Sequence, residues 1–505
     1  MFYMKWLTAV FFGALIFALG SSFKHSNPGP QLYVSSFENV LGTSFDLKVK
    51  AISEQRSDLA EKLALDEIDR LSSIVSSYDP NSEFSRWQRT RGDHVKISPD
   101  LFEVFRLFDQ WRTATGGALD PAAGKIIQLW KEAEAKQELP HSSSLQEAIL
   151  LVKQKHWELD SDKGTAIHLS SVPLVFNTFV KSYIISKVAD KLMAAEGISA
   201  VVVNIGGDIV VRGDHHELIR VSDPVADGEN DRPISTLVIG DKAIATSGNY
   251  RRGYSINGKW YSHIVDPRTG MPVDHILSAA VVADNAVDAG ALATAFNVMR
   301  AEEAMKLAAE KGAEYELITS DGERISSKGW PALKAKPVVT AAPAIALKQG
   351  NWNKEYEVAV TFELMRFEGR SRRPFVAVWV EDGKKKTVRT VALWFNKPRW
   401  LPDLKEWFHK NSDTYQNGTK DVFSISSATR PPGTYTIKWD GKDEAGEFVN
   451  SGTYTVYIEV AREHGTYQLI KQEVICKNKA QKFVLAGNAE VSSASVEYRK
   501  VETSQ

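Results

Sequence analysis

Residues 243–273, AIATSGNYRRGYSINGKWYSHIVDPRTGMPV, decide how the rest of this chain is read. The window predicts a strand, a Ser-Gly turn, a hairpin, and a His-bearing strand that runs into a Pro-Gly loop. Ser247 and Gly248 can bring backbone N–H groups close to an anion, as phosphate-binding turns do. His263 can act as acid or base near neutral pH, and Asp266 lies close enough in sequence to orient it or to meet a cation. Pro267 and Gly270 stiffen and turn the loop that follows. A histidine alone is more often a satisfied, half-buried residue; a histidine in this company reads as part of a site.

Outward from that window the chain divides in two. On the N-terminal side, strand-like alternation at 31–50 is followed by a helical period from Ser53 to Ser76. Helical stretches at 99–115, 143–155, 181–196 and 286–311 then interleave with strands such as AVVVNIGGDIVVRG and PISTLVIG. Helices and strands without regular βαβ spacing predict an α+β domain over 31–332. Residues 333–350, LKAKPVVTAAPAIALKQG, lose the hydrophobic period and read as a linker. From 351 to 478, runs such as YEVAVTFELM, FVAVWVED and TYTVYIEVA alternate with Gly, Asp and Asn turns, which predicts an all-β, immunoglobulin-like sandwich; 479–505 reads as a C-terminal tail.

At 505 residues the chain exceeds one hydrophobic core, and its 43% apolar and 25% charged composition is that of a folded globular protein. A net charge of −1 with no basic stripe argues against a nucleic-acid partner. Residues 1–21 place a lysine before an apolar run that ends in small residues, the grammar of a signal peptide or, if uncleaved, an N-terminal anchor in the inner membrane. The body is therefore expected outside the cytoplasm, in the periplasm. The single cysteine, Cys476 in EVIC, forms no internal disulfide and reads as core.

The 243–273 window closely resembles the signature of FAD:protein FMN transferases, the thiamine-biosynthesis lipoprotein type, in which SG-aromatic is followed by SHxxDPxTGxP after a hairpin. Further marks of that family stand in order: LGTSF at 41–45, SSYDPNSEFSRWQR at 76–89, GGALDPAAGKIIQLW at 116–130 and VVNIGGDIVVRG at 202–213. The resemblance implies an enzyme that cleaves FAD and attaches FMN through a phosphoester to a Thr or Ser of an exported or membrane-bound flavoprotein acceptor, with Mg²⁺ required. It implies that His263 assists catalysis and that Leu41, Tyr78, Ala118, Leu119, Asp120, Val175, Lys181, Ser247, Gly248 and Val273 line the flavin site. Tyr78 has a clear physical use, since a phenol ring packs against an aromatic ligand. The metal ligands implied are Thr178 and Thr294, with Gly290 at the position of a third, an Asp.

The chain departs from that pattern around the nucleotide and the metal. In VFNTFVKSYIIS, Lys181 and Tyr183 are kept, Val175 replaces an Asp, and Ser182 replaces a Gly. In AGALATA the family's metal-binding Asp is Gly290, and Asp288, two residues earlier, lies about 200° around a helix from the required direction. A competing expectation follows, a non-catalytic relative that binds a flavin or a partner. Residues 353–476 resemble a domain of unknown function found in exported bacterial proteins. Its tryptophans Trp379, Trp394, Trp407 and Trp439 read as sandwich core, its WDGKDEAG segment as a hairpin rather than a calcium loop, and His464 as a turn residue.

Overall fold

Alternation along Thr43–Ala51 turns Phe45, Leu47, Val49 and Ala51 to one face, and that strand lies inside a 9-stranded sheet. The computed structural model describes residues 29–226, 228, 230–249, 252–336, 350–395, 398–416, 426–427, 430–463 and 465–501. The signal or anchor segment 1–21, most of the 333–350 linker, and His464 lie outside them. The sheet order is Arg324–Ser326, Glu314–Thr319, Ile276–Ala283, Ala243–Gly248, Asp208–Gly213, Ile198–Ile205, Thr43–Ala51, Gln31–Val40 and Ser371–Arg372.

Three helices cover one face of this sheet. Ser53 caps Glu54–Val75 by accepting from the Arg56 N–H, and Ala60, Ala64, Ile68, Leu71 and Val75 form its buried stripe. Burying an aliphatic side chain of the Leu71 type contributes about 1.5–3 kcal/mol. Val180–Met193 packs on the 198–205 and 208–213 strands, and Ala286–Val298 on 243–248 and 276–283. The latter is buried on nearly every side, and its alanines and Gly290 allow close approach. On the other face, Val202, Val211, Ile244 and Val282 pack with Trp330 and with the hairpin His216–Val221/Ser235–Gly240.

The helical stretch expected over 286–311 is two helices, Ala286–Val298 and Ala301–Glu310. The break has a cause in the 262–275 loop: Arg268 donates to Val298 O at 3.2 Å, and His275 bonds Met299 O at 3.1 Å. Carbonyls at the helix end are thereby satisfied without another turn.

The C-terminal region is a β-sandwich. A 4-stranded sheet, Gly433–Trp439, Tyr356–Leu364, Val491–Lys500 and Gln481–Ala486, faces a 5-stranded sheet across a core that includes Trp394, Trp439 and Tyr498. The expected tail 479–505 is corrected by this arrangement, because Val491–Lys500 pairs along the whole of Tyr356–Leu364. Its serines gave it a tail-like composition, whereas Ala494, Val496 and Tyr498 make a buried period-two face. Trp379 and Trp407 belong to a second core cluster. Asp443 accepts from the Ala445 and Glu447 N–H groups in a hairpin turn, and among the described residues no acidic group is arranged for a metal ion.

Candidate functional site

Strand directions bring the candidate residues to one end of the large sheet. The turn Leu41–Gly42, the turn Gly206–Gly207, the strand end Ser247–Gly248 and the loop before Ile276 all lie there, as the antiparallel registers require. Leu41 holds a left-handed φ of 53°. Gly206 and Gly207 have φ of 64° and 100°, conformations that L side chains rarely adopt. A Cβ on Gly206 would sit 3.5 Å from Lys181 Nζ, so the glycine turn and the lysine are neighbours.

His263 stands one residue past Lys259–Ser262, in a bend rather than on the strand. Its Nδ1 lies 2.9 Å from Arg252 O, a contact in which the ring nitrogen must donate. That fixes the tautomer and leaves Nε2 as a free acceptor, with no partner among the described residues. Burial lowers the imidazole below its ordinary pKa, partly offset by the Arg252 carbonyl, so the ring is neutral at pH 7. The expectation that Asp266 orients His263 is corrected. Asp266 makes a two-pronged ion pair with Arg268 (2.9 and 3.0 Å) and accepts the Arg268 N–H, which braces the loop on the 286–298 helix.

Ser247 and Gly248 end their strand opposite Ala279 and Ser278. Asn249, which the sequence reading passed over, is buried; its side chain reaches Val273 O at 3.4 Å, and its N–H donates to Leu277 O at 3.1 Å. It joins the Ser247–Gly248 end to Val273, and its only sequence signal was its place directly after SG. Tyr78 is 79% exposed, its hydroxyl donating to Asn177 Oδ1 at 2.8 Å and its ring open to solvent. Val175 donates its N–H to Pro121 O at 2.8 Å, which sets the 172–178 segment against the 116–124 loop.

Other expected residues are turned inward. Ala118 and Leu119 are core side chains, each 2% exposed, so only their backbone can serve a ligand. Asp120 is buried, pairs with Arg112 at 2.7 Å and caps the Pro121–Ala123 turn through the Ala122 N–H. Its carboxylate is committed to the fold, the turn-chemistry reading of GGALD. Asp288 pairs with Lys311 at 3.7 Å, away from Gly290.

Magnesium, implied by the resemblance, would have to be held by residues around Gly290, Thr294 and Thr178. A Cβ built on Gly290 would overlap Ser182 Oγ, so the missing Asp leaves no gap. Ser182 donates to Asp208 Oδ2 at 2.8 Å. Burial raises the Asp208 pKa, with Ser182 and Lys181 opposing the rise. Thr294 Oγ1 donates back to Gly290 O at 3.2 Å, and Thr178 is half-buried just before the helix. A carboxylate-plus-hydroxyl magnesium site on one helical face does not fit this arrangement. What the geometry does supply is positive charge: Lys181, and the start of Val180–Met193, which no side chain caps.

Residues 41–318 match the ApbE family, and residues 357–493 match a family described as "Predicted periplasmic protein (DUF2271)". The FAD:protein FMN transferase of Klebsiella pneumoniae is 25% identical over 333 residues, 63% of this chain and 94% of that protein. That of Vibrio cholerae is 29% identical over 317 residues, 60% and 90% respectively. Among solved structures, the ApbE protein of Thermotoga maritima superposes with a TM-score of 0.54 at 24% identity, covering 61% of this chain and 100% of its own. The Pseudomonas stutzeri flavinyl transferase ApbE, at 20% identity, gives 0.51 over 61% of this chain and 99% of its own. With more than half of its length matched by the family, and its N-terminal fold shared with these structures, this chain belongs to the ApbE family.

Proposed function

We propose that the protein transfers FMN from FAD to a Thr or Ser hydroxyl of an exported or membrane-bound flavoprotein. The observation that carries this reading is His263, held neutral with Nδ1 on Arg252 O and with no partner for Nε2 among the described residues, in the loop between the Ser247–Gly248 strand end and the 276–283 strand. Nε2 accepts the acceptor hydroxyl's proton as its oxygen attacks the FMN phosphorus. An O–P bond forms, the pyrophosphate P–O bond breaks, and AMP leaves with the electron pair. Lys181 and the uncapped helix start offset the phosphate charge, and most of the rate comes from positioning. Relatives named FAD:protein FMN transferase support the same chemistry.

The residues at Gly290 supply no carboxylate for magnesium, so none of these steps is assigned to a metal. A periplasmic location agrees with the N-terminal sequence and with the description of the C-terminal family. Among the described residues no helix is long and apolar enough to cross a membrane.

The test incubates the purified protein with FAD, with and without Mg²⁺, and with an acceptor domain, and seeks FMN mass on the acceptor. Transfer by the wild type that His263→Ala abolishes supports the reading. Tight FAD binding without transfer would leave the binding relative that Gly290 and Val175 suggest.

A further inference from the structure

Segment 365–373 of the C-terminal region crosses to the N-terminal domain. Ser371–Arg372 adds a strand at the edge made by Gln31–Val40. Asn39 donates to Phe367 O at 3.0 Å and Gly369 O at 2.6 Å, and Arg372 lies 4.4 Å over the Phe37 ring and pairs with Glu61 at 3.0 Å. The next residue, Arg373, is only 3% exposed. It pairs with Glu38 and, at 2.7 Å, with Asp46 Oδ1.

From Asp46 the contacts continue into the site. Asn204 donates from Nδ2 to Asp46 Oδ2 at 3.2 Å, and its Oδ1 accepts the Gly207 N–H at 3.1 Å. The chemistry sets the direction of this chain. An ionised Asp46 only accepts, so it must face the Asn204 NH₂, which leaves the amide oxygen for Gly207. Arg373, together with Ser36 Oγ, which donates to the same Oδ1 at 2.7 Å, fixes the Asp46 carboxylate where Asn204 can reach it. Without it, the half-buried Asp46 carboxylate is left beside the buried Glu38 carboxylate with no cation between them, and their repulsion turns Asp46 away from Asn204. The Gly206–Gly207 turn beside Lys181 would then lose the side-chain acceptor for its Gly207 N–H.

We infer that Arg373, contributed by the C-terminal domain, is a positioning residue for the Gly206–Gly207 turn, acting through Asp46 and Asn204, so that the two domains form one catalytic unit. Its consequence for catalysis rests on the transfer reading above; the relay itself does not.

Hydrogen–deuterium exchange of the full protein reads the relay directly. Arg373→Met and Asn204→Ala should both speed exchange in the peptide covering 204–208 and leave the 276–283 strand unchanged, and Arg373→Lys should restore part of the protection. In transfer assays each should raise the KM for FAD by up to about tenfold with a smaller effect on kcat, and the two losses should not multiply in the double variant. If Arg373→Met fails to fold, Asp46→Asn tests the same link from inside the N-terminal domain, since an amide there can donate to Asn204. Unchanged exchange at 204–208 in Asn204→Ala or Asp46→Asn, or multiplying losses, would overturn the inference. A wild type that transfers no flavin would remove the transfer reading alone, because the exchange result still decides the relay.

Discussion

The Ser182 hydroxyl occupies the space that a side chain at Gly290 would need, and it is held there by donating to Asp208 at 2.8 Å. Two departures from the pattern that the resemblance implies, Ser for Gly at 182 and Gly for Asp at 290, therefore meet at one helix–helix contact. Restoring the carboxylate alone should fail. Gly290→Asp is expected to lower unfolding free energy by about 1–3 kcal/mol through overpacking, measured by urea melts. Ser182→Gly/Gly290→Asp should recover that loss and gain Mn²⁺ binding by calorimetry in the absence of FAD. A single Gly290→Asp variant that melts like the wild type and binds Mn²⁺ would show that the two positions are not coupled.

His263 should set an acid limb in the rate. Burial holds its pKa below the ordinary 6.5, so kcat/KM should be level at and above pH 7 and fall only as the pH drops below 6.5 toward the folded-state value. His263→Ala should lower kcat by about 10²–10⁴-fold and remove that limb, with little change in FAD affinity. A variant that keeps the wild-type profile would exclude His263 as the base.

His156 should make the fold itself sensitive to acid. Its ring lies between Ser170 Oγ at 2.7 Å and Val152 O at 3.0 Å, and burial depresses its pKa, with Asp120 acting against the shift. Donation to Val152 O leaves the other nitrogen to accept from Ser170, which a second ring proton would prevent. The unfolded chain takes up that proton first, so the stabilisation is complete above pH 6.5 and is lost as pH falls through the depressed folded value. Thermal melts between pH 7.5 and 5 should show the midpoint falling, and His156→Gln, less stable at pH 7.5, should show a flatter dependence.

Cys476 is fully buried, and burial pushes its thiol up to about 12. Ellman's reagent should leave it unmodified in the folded protein and label it at the rate of unfolding in urea. Labelling of the native protein within minutes would contradict the packing around it.

What could be read from sequence was what depends on local chemistry. The helical period that opens at Ser53, the NIGGD glycines and the His263 loop announce themselves through residue type and spacing. What could not be read was how side chains are spent across long separations. Asp266 sits close to His263 in the chain, yet turns to Arg268 because a guanidinium two residues on offers a better-matched fork than an imidazole. Asp120 looked free in GGALD because Arg112 belongs to a different element. The Arg373 link to Asp46 joins residues 327 positions apart, and no periodicity reports such a contact.

Val491–Lys500 supplies the last test, since its removal should cost more than a tail would. The strand lies between Tyr356–Leu364 and Gln481–Ala486, and its Val491, Val496 and Tyr498 side chains are fully buried. At about 1.5–3 kcal/mol for each large apolar side chain, these three alone contribute on the scale of a domain's net stability of about 5–15 kcal/mol. Truncation after Asn478 also strips Tyr356–Leu364 of a ladder partner along its length. The truncated chain should lose the near-ultraviolet signal of the sandwich tryptophans and be cut by protease within residues 351–478. The N-terminal domain should lose stability as well, because Ser371–Arg372 and Arg373 would no longer be held at its sheet edge. A truncated protein with the wild-type melting point and protease resistance would return these residues to the status of a tail.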